Sequence, residues 1–351
     1  MMKLFSFQSM VAVAAIAIIS PSTPALAAEI AGVDIHGYGA QTYLRSKQNA
    51  FDGADAERDS FDSRWLALVF TANLGDRAKA WAQLHASDET RLDWAFVDYQ
   101  FTPNLVGKAG KVQLPLGLFN QTRDARFLQL STQLPFLYQD GTGIADESYQ
   151  GISAVYDHAL GGGTALWDLY VGQGVAMSEF PARVFKRLVG GRLTYKLPVP
   201  GLRAMLSAYR SSFEDRDDPT NPVAGAQKTI VLSADYDWSD LDLKSEFGRT
   251  SIAGVKRKTW YVQGGYTVAE KWTPFVRYDY VTLDDARRND VSYFQKSSVL
   301  GLNYKVSSSL ALRAENHFNR GYAFPVEGGT VSPGTGKDRW NFFTASVTFI
   351  F

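Results

Sequence analysis

The chain has 351 residues, no cysteine, 36 basic against 36 acidic side chains and a formal charge of zero. That balance leaves no basic surface for nucleic acid and no thiols for a disulfide framework. Apolar residues make up 45% of the sequence, so a large apolar surface has to be placed somewhere.

Residues 1–27 read as an export signal. Lys3 supplies the positive start, Val11–Ile19 an apolar core and Ala25-Leu26-Ala27 a small-x-small cleavage site, with cleavage expected before Ala28. The apolar core is well short of the ~20 residues of a spanning helix, and no later segment reaches that length. Residues 28–351 are therefore expected to form one exported domain that makes its membrane contact, if any, with strands.

Alternation at period two marks a strand with two unlike faces. Leu66, Leu68, Phe70 and Ala72 alternate with Ala67, Val69 and Thr71; Ile230, Leu232, Ala234 and Tyr236 alternate with Val231, Ser233 and Asp235. Such runs predict strands near 33–45, 63–74, 77–87, 91–102, 105–114, 149–158, 164–173, 187–197, 202–213, 227–237, 241–250, 257–268, 272–283, 293–305, 309–319 and 339–351. The even-numbered strands are followed by short links such as Gly75-Asp76, Pro103-Asn104 and Ser239-Asp240, and most odd-numbered ones by long polar links such as 46–62, 214–226 and 320–338. Short turns on one rim and long loops on the other are the pattern of a transmembrane antiparallel β-barrel of about 16 strands. A soluble all-β protein would not leave an apolar strand face this large in water. Aromatics near strand ends, among them Tyr38, Tyr99, Phe101, Trp238, Trp272, Tyr278, Tyr280 and Tyr304, suit the two headgroup interfaces.

Sixteen strands enclose an aqueous channel rather than a packed core. The expected inward face carries Lys79, Lys111, Arg192, Lys196, Lys244, Arg277 and Arg313 against Asp98, Asp168, Asp235, Asp237, Asp242, Glu246, Asp279 and Glu315. Unpaired buried ions are costly, so these charges are expected to be hydrated, with pairs such as Lys244 with Glu246 and Arg313 with Glu315 stiffening the wall. One stretch breaks the alternation. From Leu116 to Tyr149 charges accumulate (Arg123, Asp124, Arg126, Asp140, Asp146, Glu147) beside Phe119, Phe127, Phe136, Leu137 and Tyr138. A segment this long with residues that need packing is expected to fold inward and narrow the pore.

The signal, the strand pattern, the long link after strand five and the final Phe351 together resemble a Gram-negative outer-membrane porin. The stretch Lys108-Ala109-Gly110-Lys111, Pro115-Leu116-Gly117, Arg123-Asp124 and Leu134-Pro135 to Tyr138 is similar to the matching region of general and phosphate-selective porins. The resemblance implies a channel for passive diffusion of ions and small hydrophilic solutes, with residues 116–149 as the constriction. It also implies an outer-membrane location, contact with its lipid, recognition of Phe349 and Phe351 by the barrel-assembly machinery, and a homotrimer. No cofactor and no nucleic acid enter this reading. Two alternatives remain open at this point: a surface adhesin or receptor barrel working through its long loops, and an outer-membrane barrel enzyme. The four histidines, His36, His85, His158 and His317, form no close pair for a metal and lie in no G-x-S-x-G or H-E-x-x-H motif, which disfavours catalysis.

Overall fold

The computed structural model describes residues 28–30, 32–51, 54, 59–61, 64–87, 90–139, 142–174, 183–215, 223–321, 323 and 337–351. A short β1 (Ala28–Ile30) folds back on β2 (Val33–Lys47). There follow β3 (Arg64–Asn73), β4 (Ala78–Ala86), β5 (Thr90–Thr102), β6 (Leu105–Gln113), β7 (Ser148–Leu160), β8 (Gly163–Gly174), β9 (Arg183–Lys196) and β10 (Leu202–Asp215). The second half comprises β11 (Val223–Trp238), β12 (Leu241–Ile252), β13 (Val255–Tyr266), β14 (Trp272–Thr282), β15 (Phe294–Lys305), β16 (Leu310–Gly321) and β17 (Arg339–Ile350). Strands β2 to β17 each pair antiparallel with the next, and β17 returns to β2, so sixteen strands close a barrel with no free edge.

The alternation is the reason the wall has two characters. One parity of β11 exposes Ile230 and Leu232, while the other buries Val231, Ser233 and Asp235; β13 treats Trp260 and Val262 against Thr259 and Tyr261 in the same way. The exposed apolar parity is the lipid face, and the polar parity faces the lumen. Among the aromatics, Tyr99, Phe101, Trp238, Trp272 and Tyr278 lie exposed on the outside. Tyr38 does not; it faces inward and donates from its hydroxyl to Gln83, because its parity on β2 is that of Ala40 and Thr42.

The C-terminus completes the seam. Phe349 pairs opposite Gly39, and Phe351 and Gly37 exchange backbone hydrogen bonds at 2.8 and 2.9 Å. The two aromatic rings lie over the two glycines on the outer face: a Cβ on Gly37 would sit 2.1 Å from the Phe351 ring, and one on Gly39 2.7 Å from that of Phe349. The absent side chains give the rings their place, an aromatic covering a strand glycine.

Candidate functional site

Between β6 and β7 the chain leaves the wall as the loop 114–147 and crosses the lumen; β7 begins at Ser148, one residue before the expected strand start at Tyr149. Three short 3-10 turns, Asn120–Thr122, Arg126–Leu128 and Phe136–Tyr138, give the loop its shape. Its apolar residues form the largest buried cluster among the described residues. Leu114, Leu116, Phe119, Leu134, Leu137, Tyr138 and Ile144 pack on inward side chains of β7 to β13, including Tyr149, Tyr170, Leu188, Tyr209, Val231 and Tyr261.

Polar contacts fix the loop at several points round the wall. On β12 the buried Glu246 carboxylate accepts from the Leu118 amide (2.9 Å) and from the hydroxyls of Tyr138 (2.6 Å), Ser233 (2.6 Å) and Tyr261 (2.8 Å). The Tyr138 hydroxyl in turn accepts the Leu118 and Phe119 amides at 2.8 and 3.0 Å. Gly117 makes this knot possible: its φ is +57°, and a Cβ there would lie 2.3 Å from the Tyr138 hydroxyl. On β14, Arg277 donates to the Gln133 carbonyl (2.9 Å) and pairs with Asp279 at 2.6 Å. On β16, Arg313 donates to the Phe127 carbonyl (3.0 Å), while Glu315 accepts from the Ser131 hydroxyl (2.8 Å) and the Thr132 amide. Arg192 of β9 reaches Gln121 at 2.6 Å and pairs with Asp168 at 2.9 Å. Arg257 of β13 and Gln227 of β11 hold the carbonyls of Thr142 (2.6 Å) and Gly143 (2.8 Å).

These contacts correct several expectations. Glu246, Arg277, Asp279, Arg313 and Glu315 are buried beneath the loop rather than hydrated in an open lumen, because the loop supplies the partners that water would have supplied. The pairs also differ. Lys244 pairs with Asp242 and with Asp235 (3.4 Å) instead of Glu246, and Glu315 pairs with His317 at 3.0 Å instead of with Arg313. Lys111 is not a lumen residue. It stands opposite Ala95 and Gln150 on the parity of Val97 and Ile152, so it lies on the outer face and its ammonium turns back to the Leu92 carbonyl at 2.7 Å. Lys108 occupies the inward position instead, opposite Asp98, with its ammonium 5.4 Å from the Phe96 ring centroid. The wall residues Lys79 and Asp98 do face the lumen, opposite each other in the row next to Trp81, whose indole donates to Asp98 at 2.7 Å and carries the Lys79 ammonium 4.4 Å from its ring centroid.

The loop charges divide in the same way. Arg123 is 7% exposed and Asp146 2% exposed. Arg123 donates to the Tyr138 carbonyl (3.0 Å), and the Asp146 carbonyl accepts the Asn120 amide at 2.8 Å, so both hold the loop together. Asp124 accepts from Gln83 (3.0 Å), Arg126 donates to the Thr132 carbonyl (2.8 Å), and the Glu147 side chain is 40% exposed. Asp140 lies outside the described residues.

Facing this side of the loop is a cluster the alternation hides. A bulge in β5 places Asp93 as an extra residue between Leu92 and Trp94, which pair with Leu84 and Gln83. Asp93 and Trp94 therefore both turn inward. Asp93 accepts from Gln83 and Arg91 at 2.9 Å each and lies 3.3 Å from the His85 ring, and Arg91 also lies 4.0 Å from Glu147. Plain alternation would have put Asp93 on the outer face with Ala95 and Val97, so no sequence signal marked this cluster. Arg203, 2.5 Å from Asp235, is a further inward cation missed in the sequence.

A family profile described as Gram-negative porin matches residues 12–321. No curated protein matches the chain by sequence. Among solved structures, the chain is similar to the anion-selective porin from Comamonas acidovorans, with TM-score 0.64 and 16% identity over 91% of this chain and 99% of that one. It is similar also to the outer-membrane channel DcaP of Acinetobacter baumannii (TM-score 0.57, 13% identity, 94% and 100% covered). The trimer form of OmpT, an outer-membrane protein of Vibrio cholerae, aligns with TM-score 0.58 at 12% identity, covering 91% and 99%. Profile and barrel together identify the chain as a member of the Gram-negative porin family, an outer-membrane diffusion channel.

Proposed function

We propose that ions and small hydrophilic solutes pass between the loop and the inner faces of β4 to β6. The supporting observation is where the loop's anchors lie. They gather on β9 to β17, whereas the β4 to β6 side keeps accessible charge: the Arg91 side chain is 49% exposed and Glu147 opposite it 40%. In this reading Asp124, Arg126 and Glu147 of the loop and Lys79, Arg91, Asp98 and Lys108 of the wall set selectivity, since charges in a narrow passage with low-dielectric walls act strongly on permeating ions. Arg192, Lys244, Glu246, Arg277, Asp279, Arg313 and Glu315 serve as anchors and wall pairs. Reversal potentials across a salt gradient test the division. Neutralising Arg91 and Arg126 together should shift selectivity toward cations; an unchanged reversal potential would place the aperture elsewhere.

The mature protein works as a homotrimer with a lumen in each copy, a reading supported by the trimer form of the Vibrio cholerae protein that shares its fold. Cross-linking in native membranes that gave monomer alone would remove it. Phe349 and the exposed Phe351 serve as the signal for the barrel-assembly machinery, after export under residues 1–27. The family supports transport rather than catalysis as the whole activity.

A further inference from the structure

The lumen face carries aromatic rings in two places. On β7 to β13, Tyr149, Tyr170, Tyr209 and Tyr261 are buried beneath the loop. On β2 to β5, Tyr38, Trp65, Trp81 and Phe96 also stand on inward positions, but they stay only half-buried. Trp81 stacks on Phe96 with 6.3 Å between ring centroids and 18° between planes, and Phe96 lies 5.8 Å from the buried Trp94. The Trp65 ring lies 5.7 Å from Tyr38 and 5.8 Å from His85. Phe96 packs against the loop's apolar cluster, so this aromatic strip borders the loop. Apolar ring surface facing water costs free energy in proportion to its area, and the same rings on the lipid face would not incur that cost. A persistent apolar patch on an aqueous face marks a binding surface.

The charges beside the strip say what it takes. The Lys79 ammonium rests 4.4 Å from the Trp81 ring centroid and the Lys108 ammonium 5.4 Å from that of Phe96, and among the described residues neither makes an ion pair. Asp98, opposite both lysines, accepts from the Trp81 indole. Asp93 accepts from Gln83 and Arg91. The strip therefore offers ring faces and ammonium donors, while its carboxylates are already engaged.

We propose that this strip recognises planar aromatic carboxylates, and that the channel favours them over aliphatic anions of equal charge and over sugars. The inference rests on solutes passing between the loop and β4 to β6, and it names the class that passage selects. The solute's ring lies on Trp81 and Phe96, and its carboxylate draws the Lys79 and Lys108 ammonium groups off those faces. Two cation–π contacts are thereby exchanged for charge-assisted hydrogen bonds and a ring stack. An aliphatic carboxylate meets the same ammonium groups but brings no flat partner for the rings. A sugar needs acceptors as well as donors for its hydroxyls, and the acceptors here are taken.

The test uses the purified channel in a planar bilayer in potassium chloride at neutral pH. Benzoate, cyclohexanecarboxylate and glucose are added in turn, and the concentration that halves the ion current is read for each. Benzoate should half-block at about fivefold lower concentration than cyclohexanecarboxylate, the factor that one aromatic pair supplies, and glucose should not block in that range. Trp81→Leu should abolish the ratio. Trp81→Phe loses the same indole bond to Asp98 but keeps a ring, so it should retain most of the ratio. Lys79→Gln with Lys108→Gln should weaken both carboxylates alike, and Trp238→Leu on the outer face should leave the ratio unchanged. Heat-modifiable gel migration verifies folding; if Trp81→Leu does not fold, Phe96→Leu serves in its place. A ratio near one in the parent, a ratio that survives in the folded leucine variant, or stronger block by glucose than by benzoate would overturn the proposal. The Arg91 and Arg126 double variant separates this failure from that of the passage. If it shifts the reversal potential while the parent shows no aromatic preference, the passage stands and the aromatic recognition falls; if it shifts nothing, the passage lies elsewhere and the proposal falls with it.

Discussion

Two parts of the lumen wall carry similar residues and treat them differently. On β12, β14 and β16 the inward Glu246, Arg277, Asp279, Arg313 and Glu315 are all buried, each within reach of the crossing loop or of a partner fixed by it. On β4 to β6 the inward Lys79, Asp98 and Lys108 meet mainly one another, Trp81 and Phe96, Arg91 meets Asp93 and Glu147, and the loop is held by fewer hydrogen bonds, from Gln83 to Asp124 and from Gln113 to the Gln121 carbonyl. Inward parity alone therefore does not make a charge a pore charge. A cation under the loop holds architecture, whereas one beside it can act on what passes.

The comparison is most exposed to failure at the anchors. Glu246→Ala removes the acceptor of four buried hydrogen bonds. Bonds to a charged group are worth ~1.5–3 kcal/mol each, so several kcal/mol of loop stability should disappear. Limited proteolysis should then cut between Leu116 and Tyr138 in the variant and spare the parent; equal resistance would show that apolar packing alone fixes the loop. Arg277→Met leaves Asp279 buried without its partner and should cost ~3–5 kcal/mol in denaturant unfolding, a loss that Asp279→Leu in the same chain should largely restore. That double variant should change the reversal potential little, which sharpens the contrast with Arg91 and Arg126. Lys111→Gln, on the outer face, removes a hydrogen bond to the Leu92 carbonyl and should cost ~0.5–1.5 kcal/mol of stability, with a shift in selectivity far smaller than that of the Arg91 and Arg126 change. Topology gives a check without a thermodynamic reading: an epitope at Ala224 should be labelled on intact cells, and one at Ser239 should not.

The wall was legible in the sequence because period-two alternation is imposed twice, by lipid outside and water inside. Sixteen strands appear where alternation places them, within a few residues at each end. The inner loop was legible as a lapse in that pattern. Its contacts were not, because the knot at Glu246 joins Leu118, Tyr138 and Ser233 across 13 to 128 positions of sequence, and no local pattern reports such a meeting. Lys111 misled for a local reason. Gly107 and Gly110 blur the alternation of β6, and the register with Ala95 and Gln150, which decides the parity, belongs to neighbouring strands. Asp93 was hidden by a bulge, which breaks the rule that reading depends on.

The central claim is that the loop 114–147 narrows a lumen that is otherwise open. Single-channel conductance tests it most directly when residues 121–146 are replaced by a short Gly/Ser linker. The strand ladder does not pass through those residues, so the barrel should still fold, shown by heat-modifiable migration, although it loses the apolar cluster around Leu137 and Ile144. The account predicts a clear rise in conductance. A folded variant with unchanged conductance would contradict it and leave the constriction to the wall charges.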